Sequence, residues 1–275
     1  MVRVWRRNRL NLQAMIKILK QALVSLLLFG AVLFGFSRVN WLSVFHLERD
    51  VIEEKLGKLY WDMFSKTETF VEDEEVLQPV DSLLAHICAK NGIEKPVRLH
   101  IIRSEEVNAF AFPDRHLVIF SALIADCKNE MELCGVMAHE IAHIEKGHVM
   151  KKLIKEVGLS VLAKMIAGND GGAVLKETAK LLSSTAYDRT LESEADECAV
   201  VYLSEADIDP AALGDFLYRL SEEEDVPSFA EWVSTHPDSK KRSSMIWEHA
   251  KRLKRTDTFC EVLGAERFDR LKESL

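Results

Sequence analysis

The five cysteines, at positions 88, 127, 134, 198 and 260, form no C-x-x-C pair and show no metal-type spacing. A thiolate zinc finger and a paired-thiol redox site are therefore excluded. Their apolar, helix-like surroundings read as buried free thiols, and an odd number leaves at least one unpaired. Basic residues are scarce beyond the first twenty positions. Arg3, Arg6, Arg7, Arg9, Lys17 and Lys20 stand there without an acid, and the remaining 30 of the 36 Lys and Arg face 44 Asp and Glu. A body with a balance of −14 argues against nucleic acid as a partner, because holding a phosphate backbone takes clustered cations. No internal repeat or low-complexity tract is present. Long apolar runs are also lacking, with one exception: the later stretch "VGLSVLAKMIAG" is interrupted by Lys164, which excludes a multi-span membrane protein.

The exception is "QALVSLLLFGAVLFGFS", residues 21–37, which carries no charge and lies between Lys20 and Arg38. As a helix it reaches about 25 Å, close to a hydrocarbon core of roughly 30 Å once Lys17, Lys20 and Arg38 snorkel. The preceding positive charge predicts a cytoplasmic N-terminus and a translocated remainder. The expectation is a single-pass cell-membrane protein whose body lies on the non-cytoplasmic side. The alternative is a cleaved signal peptide ending near Gly35-Phe36-Ser37, which leaves a periplasmic product.

With 275 residues and 48% hydrophobic composition, the rest of the chain suffices for one sizeable core. Residues 44–60 read as an amphipathic helix, followed by the acidic "ETFVEDEEV". "VLQPVDSLLAHICAKNGI" has helical spacing and a stop at Asn91-Gly92. "VRLHII" and "HLVIF" read as strands, with a turn at Pro113-Asp114-Arg115. From Glu130 onward the pattern is helical, broken at the Gly-rich "AGNDGGA".

The chemistry is concentrated in "AHEIAHIEKGH", residues 138–148. His139 and His143 are four apart, so on a helix both rings leave one face, as two ligands of a tetrahedral Zn²⁺ require. Glu140 sits one residue round, placed to act as general base on water and then as acid toward the leaving amine. By chance a chain of this length holds H-E-x-x-H on the order of a few percent of the time. The bland alternative is a solvated face. Against it, Leu133, Val136, Met137, Ala138, Ile141, Ala142 and Ile144 make the helix apolar nearly all round, so it should be buried. A buried His-Glu-His set is costly without a metal to share its lone pairs.

Zinc needs a third protein ligand. A third histidine in the H-E-x-x-H-x-x-G-x-x-H register would stand at 149, where the chain has valine, and His148 is one position off. Helix phase makes His148 a structural or cap residue instead of a ligand. The other solution is a carboxylate from "YDRTLESEADECA". Glu192 and Asp196 share a helix face at i, i+4 and Glu194 points well round from them. The arrangement suits Glu192 on the metal and Asp196 hydrogen-bonding a ligand imidazole to fix its tautomer.

His139-Glu140-x-x-His143, followed about fifty residues later by Glu192-x-x-Ala195-Asp196, resembles the zinc metallopeptidases of family forty-eight. That family includes the CAAX prenyl proteases, the HtpX heat-shock proteases, and the Oma-type and periplasmic BepA-like proteases. "VNAFAFPDRHLVIFSALI", "AVVYLSEADIDPAAL" and "STHPDSKKR" look like segments of the Oma-type and BepA-like group, so the resemblance runs from about Glu68 to Arg242. It implies an α+β, mainly helical zincin-like (gluzincin) domain with a small β-sheet or hairpin, preceded here by the transmembrane helix. The chain then divides into a basic segment (1–20), an anchor or signal (21–37), a linker helix (38–67), a metallopeptidase domain (68–255) and a helical tail (256–275).

The implied activity is a membrane-anchored zinc metalloendopeptidase acting on misfolded envelope proteins, with one Zn²⁺ per subunit on His139, His143 and Glu192. Glu140 would be the base and Asp196 the imidazole's partner. Peptide substrates would lie along the "AFAF" or "HLVIF" strand, with Asn108, Ala109 and Phe110 as candidate contacts. The resemblance further implies that His236 approaches or caps the metal and regulates access; on sequence alone a surface turn before Pro237 is an equal reading. With His236 as a resident fourth ligand, the alternative function is a metal-containing chaperone or binding module with latent proteolytic activity. Asp114-Arg115 replaces the group's usual Gly-Gly and Asp188 its usual Ser, both outside the catalytic set. Oligomeric state is not legible.

Overall fold

In the computed structural model, residues 41–168, 171–223, 227–253 and 258–275 are described. The chain divides into two compact units, residues 1–51 and 52–275, and apart from residues 41–51 of the first helix everything that follows lies in the second. Its elements are α1 (Trp41–Phe64), α2 (Glu74–Lys90), β1 (Arg98–Ile102), β2 (Ala109–Phe112), β3 (His116–Phe120), α3 (Ser121–Asp126) and α4 (Glu130–Glu145). Then come α5 (His148–Glu156), α6 (Leu159–Ile166), α7 (Gly171–Ser184), α8 (Arg189–Glu205), α9 (Ala212–Glu222), α10 (Ala230–Thr235), α11 (Ser239–Leu253) and α12 (Ala265–Glu273). The domain is mainly helical with one three-stranded sheet, consistent with a zincin-like fold.

The sequence reading placed a membrane-spanning helix at residues 21–37, and with it a membrane partner, a membrane-anchored function and a single-pass location. Those residues lie outside the described ones. Among the described residues no helix is long and apolar enough to cross a membrane. The longest, α1, bears Glu53, Glu54, Lys55 and Lys58 within two turns, and each charge at the centre of a bilayer costs about 2.5–3.5 kcal/mol. The anchor, the membrane partner and the location expected with it are corrected accordingly.

The sheet has the order β1-β3-β2, with β1 parallel and β2 antiparallel to β3. Between β2 and β3 the chain turns at Asp114 and Arg115, both at φ 63°, a left-handed conformation that costs a side-chain-bearing residue roughly 1–2 kcal/mol. Both residues are tied down. Asp114 pairs with Arg98, and Arg115 donates to the carbonyls of Lys95 (2.8 Å) and Pro96 (3.2 Å) and to the Glu145 carboxylate at the end of α4. The turn expected from sequence thus forms without glycine, and it fastens the hairpin to α4.

One face of the sheet carries a polar aromatic stack. Trp61 of α1 lies over His100 with ring centroids 3.9 Å apart, and over His116 at 5.2 Å. The Arg98 guanidinium donates to His116 Nε2 (3.2 Å), so His116 carries its proton on Nδ1 and donates it to His100 Nε2 (2.8 Å). Burial pushes the pKa of His100 down to about 3 and of His116 to about 4.

Helix α4 is the centre of the domain and packs against α2, α5, α8, α9 and β2. Its start is written in Asn129-x-x-Glu132: the Asn129 side chain accepts from the Glu132 N–H (3.0 Å), and the Glu132 carboxylate accepts from the N–H of Lys128 (2.9 Å), one residue before the cap that a capping box would use. Its end is set by Gly147 at φ 63°, the left-handed residue that stops a helix. Gly135 allows α9 to approach, since a Cβ there would meet the Leu213 backbone N at 2.8 Å.

Candidate metal centre

His139 and His143 project from the buried face of α4, and their Nε2 atoms are 3.0 Å apart. Helix α8, crossing α4, brings Glu192 between them: Oε2 lies 3.5 Å from His139 Nε2 and Oε1 lies 3.3 Å from His143 Nε2. Ligands at about 2.0–2.2 Å around a tetrahedral ion are separated by roughly 3.4 Å, so this triangle is nearly the right size. His236 at the end of α10 joins it, with Nδ1 3.2 Å from Glu192 Oε2 and Nε2 3.5 Å from Glu140 Oε1. Potential ligand atoms of His139, His143, Glu192 and His236 all lie within 4.8 Å of one another. Of the two readings of His236, the surface turn is excluded: the residue is 1% exposed, its ring against Trp232 at 4.5 Å.

The Asp196 carboxylate lies 3.0 Å from His139 Nδ1, leaving Nε2 to face the cluster. Arg242 on α11 holds Asp196 through two bonds, Nε to Oδ2 (2.8 Å) and Nη2 to Oδ1 (2.7 Å), and places Nη1 2.6 Å from Glu192 Oε2. On the other side Tyr187 stacks on His143 with centroids 4.0 Å apart, and the Lys152 ammonium sits 4.5 Å above the Tyr187 ring. Lys152 is held by the carbonyls of Leu182 and Thr185 at the end of α7, and burial lowers its pKa to about 8.

The donor set fits a divalent cation. Glu140, Glu192, Asp196 and Arg242 are all buried; with all three carboxylates ionised, one guanidinium would leave the group two positive charges short, an imbalance that a dry interior relieves with a cation or, without one, with protons on Glu140 and His139. Both Glu140 oxygens and Glu192 Oε1 form no hydrogen bond among the described residues. Burial favours the neutral Glu192, yet Arg242 and the surrounding imidazoles hold its carboxyl well below the usual range. Burial also works against charge on His139, but Asp196 and Glu192 raise it to about 9, whereas burial lowers His143 to about 3 and raises Glu140 to about 8. One imidazole thus takes up a proton where a cation is wanted. Two nitrogens and a carboxylate oxygen, with a further imidazole beside them, suit zinc.

Every residue that the sequence reading placed at the metal lies in this cluster. The candidate substrate residues Asn108, Ala109 and Phe110 do not line an open cleft: they are 0%, 0% and 3% exposed, and α7 packs against β2, with Asn108 Nδ2 donating to Ser183 O at 3.5 Å. Sequence reasoning gave no role to Arg242 or Tyr187. Tyr187 begins "YDRTLESEADECA" and Arg242 ends "STHPDSKKR", but nothing in the spacing shows that they fold back onto the histidines.

A family profile described as Peptidase family M48 matches residues 74–250. The chain is similar to the beta-barrel assembly-enhancing proteases of Yersinia pestis and of Escherichia coli (strain K12), 27% identical to each, with 74% of this chain and 44% of those proteins covered. It is also similar to the mitochondrial metalloendopeptidase OMA1 of Schizosaccharomyces pombe, 29% identical over 66% of this chain and 56% of that protein. The chain spans less than half the length of these bacterial relatives. With the geometry above, His139, His143, Glu192 and His236 form a buried metal-binding site typical of zincin metallopeptidases.

Proposed function

The chain belongs to peptidase family M48, and from that premise we propose that it is a zinc-dependent metalloendopeptidase acting on protein substrates, nearest the Oma-type and BepA-like group. The observation that carries the reading is Glu140, a buried carboxylate without a hydrogen bond, beside four converging metal-ligand side chains. His139, His143 and Glu192 would hold one Zn²⁺, with Asp196 orienting His139. When bound, zinc supplies the Lewis acidity that makes water a nucleophile near neutral pH and polarises a carbonyl. Glu140 accepts the proton of the attacking water and returns it to the leaving amine. Its neighbours keep bulk water from competing for that carboxylate.

The described conformation is closed. The cluster is buried, and as a fourth ligand His236 would fill the position that a catalytic site normally leaves for water and substrate. Catalysis requires His236 to withdraw. A peptide pairing with the edge strand β2 near Asn108, Ala109 and Phe110 requires α7 to move as well. The closed cluster also favours the second reading, a metal-containing chaperone or binding module with latent proteolytic activity. Glu140→Gln separates the two readings. A protease loses casein clearance about 10²–10⁴-fold while keeping its zinc; a holdase keeps its effect on casein unchanged, and that result would end the peptidase proposal.

A further inference from the structure

His143 differs from His139 in how its outer nitrogen is satisfied. His143 Nδ1 lies 3.0 Å from Nδ1 of His148, and His148 Nε2 lies 3.2 Å from Glu194 Oε2. From these contacts we propose that Glu194 and His148 form a relay that sets the tautomer of His143 and thereby tunes its grip on the metal. The inference rests on the reading of His143 as a ligand.

The proton assignment follows in one direction. Nε2 of His143 faces His139 and Glu192, so a ligand role requires its lone pair there and its proton on Nδ1. That proton needs an acceptor, and the atom opposite it is Nδ1 of His148. His148 can accept at Nδ1 only with its own proton on Nε2, which points at the Glu194 carboxylate. Each tautomer requires the next, and the chain ends on an anion. Stacking on Tyr187 fixes the plane of the His143 ring; the relay decides which nitrogen carries the proton. The corresponding atom of His139, Nδ1, lies 3.0 Å from the Asp196 carboxylate instead.

The backbone explains why His148 can reach. Five residues along a continuous helix lie about 140° round the axis, away from His143. Gly147, left-handed at φ 63°, ends α4 and starts α5 in a new direction, and His148 swings back under His143 with no exposed surface. Glu194 stands on α8 two residues from Glu192, its side chain 41% exposed, with the Lys146 ammonium 3.7 Å away. His148 and Glu194 are positioning residues.

The test is zinc affinity of the purified chain by competition with a chromophoric chelator, with the visible spectrum of the cobalt-substituted protein as second readout. His148→Leu is expected to weaken zinc binding 10–100-fold and to alter the cobalt bands, the effect of losing a ligand's hydrogen-bond partner. His148→Asn, whose amide oxygen takes the place of Nδ1, should recover most of that loss. Glu194→Ala should weaken binding by about the lower end of that range. His143→Ala separates the two levels of inference: unchanged zinc affinity there ends the ligand reading itself. Loss of zinc in His143→Ala together with wild-type affinity and spectra in His148→Leu and Glu194→Ala overturns the relay alone. If His148→Leu does not fold, the partly exposed Glu194→Ala decides, and wild-type affinity in it overturns the proposal.

Discussion

Replacing Arg242 by methionine keeps most of the side chain's length and removes its charge. The guanidinium is buried and makes three close contacts with two carboxylates, 2.8 and 2.7 Å to Asp196 and 2.6 Å to Glu192. Asp196 would keep only its contact with His139 Nδ1. Removing one partner of a buried ion pair costs about 3–5 kcal/mol, because the remaining charge is left unpaired. At roughly 2–4 °C per kcal/mol for a domain of this size, Tm should fall by about 6–20 °C. Calorimetry with and without zinc measures this, and zinc should narrow the gap because a cation takes over part of the Glu192 charge. Arg242→Lys, which keeps the charge without the two-pronged contact, should fall between. The double variant Asp196→Asn with Arg242→Met should lose less than the sum of the single changes. A Tm for Arg242→Met within about 2 °C of wild type, with or without zinc, would refute the argument that this buried cluster is held by charge balance.

Three further outcomes are expected. Gly135→Ala, which sets a Cβ 2.8 Å from the Leu213 backbone, should destabilise by about 1–3 kcal/mol in chemical denaturation; a neutral result would show that α9 moves away freely. Burial depresses His100 to about 3 and His116 to about 4 from 6.5, so between pH 6.5 and 4 the unfolded chain takes up protons that the native one refuses. Stability from this pair is complete above pH 6.5 and is lost on acidification; denaturant melts of His100→Phe across that window should show a shallower loss than wild type. His236→Ala should raise peptidase activity on an unfolded substrate if withdrawal of that ring opens the site, and a fall would mean that the imidazole serves the reaction instead.

Much of the site was legible because helix periodicity is local. The spacing of His139 and His143, and of Glu192 and Asp196, places each pair on one face whatever the rest of the chain does, and both pairs are found as expected. The strands at "VRLHII" and "HLVIF" and the stop at Asn91-Gly92 are equally local, and they appear as β1, β3 and the end of α2. What escaped depends on chain reversal. Among the described residues His148 is not one of the four clustered side chains, but the phase argument assumed a helix running on past Glu145 and could not foresee the left-handed Gly147 that re-aims the ring onto His143. Arg242 reaches Asp196 and Glu192 only because α11 packs beside α8. The hairpin turn kept its place without Gly-Gly because Asp114 and Arg115 are anchored by partners distant in sequence. A buried position for Asn108, Ala109 and Phe110 follows from α7 lying on β2, a contact that joins Asn108 to Ser183 across 75 positions of the chain and that no periodicity announces. The anchor expected from residues 21–37 rested on an uncharged run and its flanking basic residues, and among the described residues no helix is long and apolar enough to cross a membrane.

The central claim is that one divalent ion completes the His139, His143 and Glu192 cluster. The most direct measurement is the metal content of the purified chain, by inductively coupled plasma mass spectrometry, beside His139→Ala and Glu192→Ala prepared in the same way. The expected result is about one zinc per wild-type chain and close to none in either variant. Wild-type protein that takes up no zinc when supplied with it, or variants that retain as much as wild type, would contradict it.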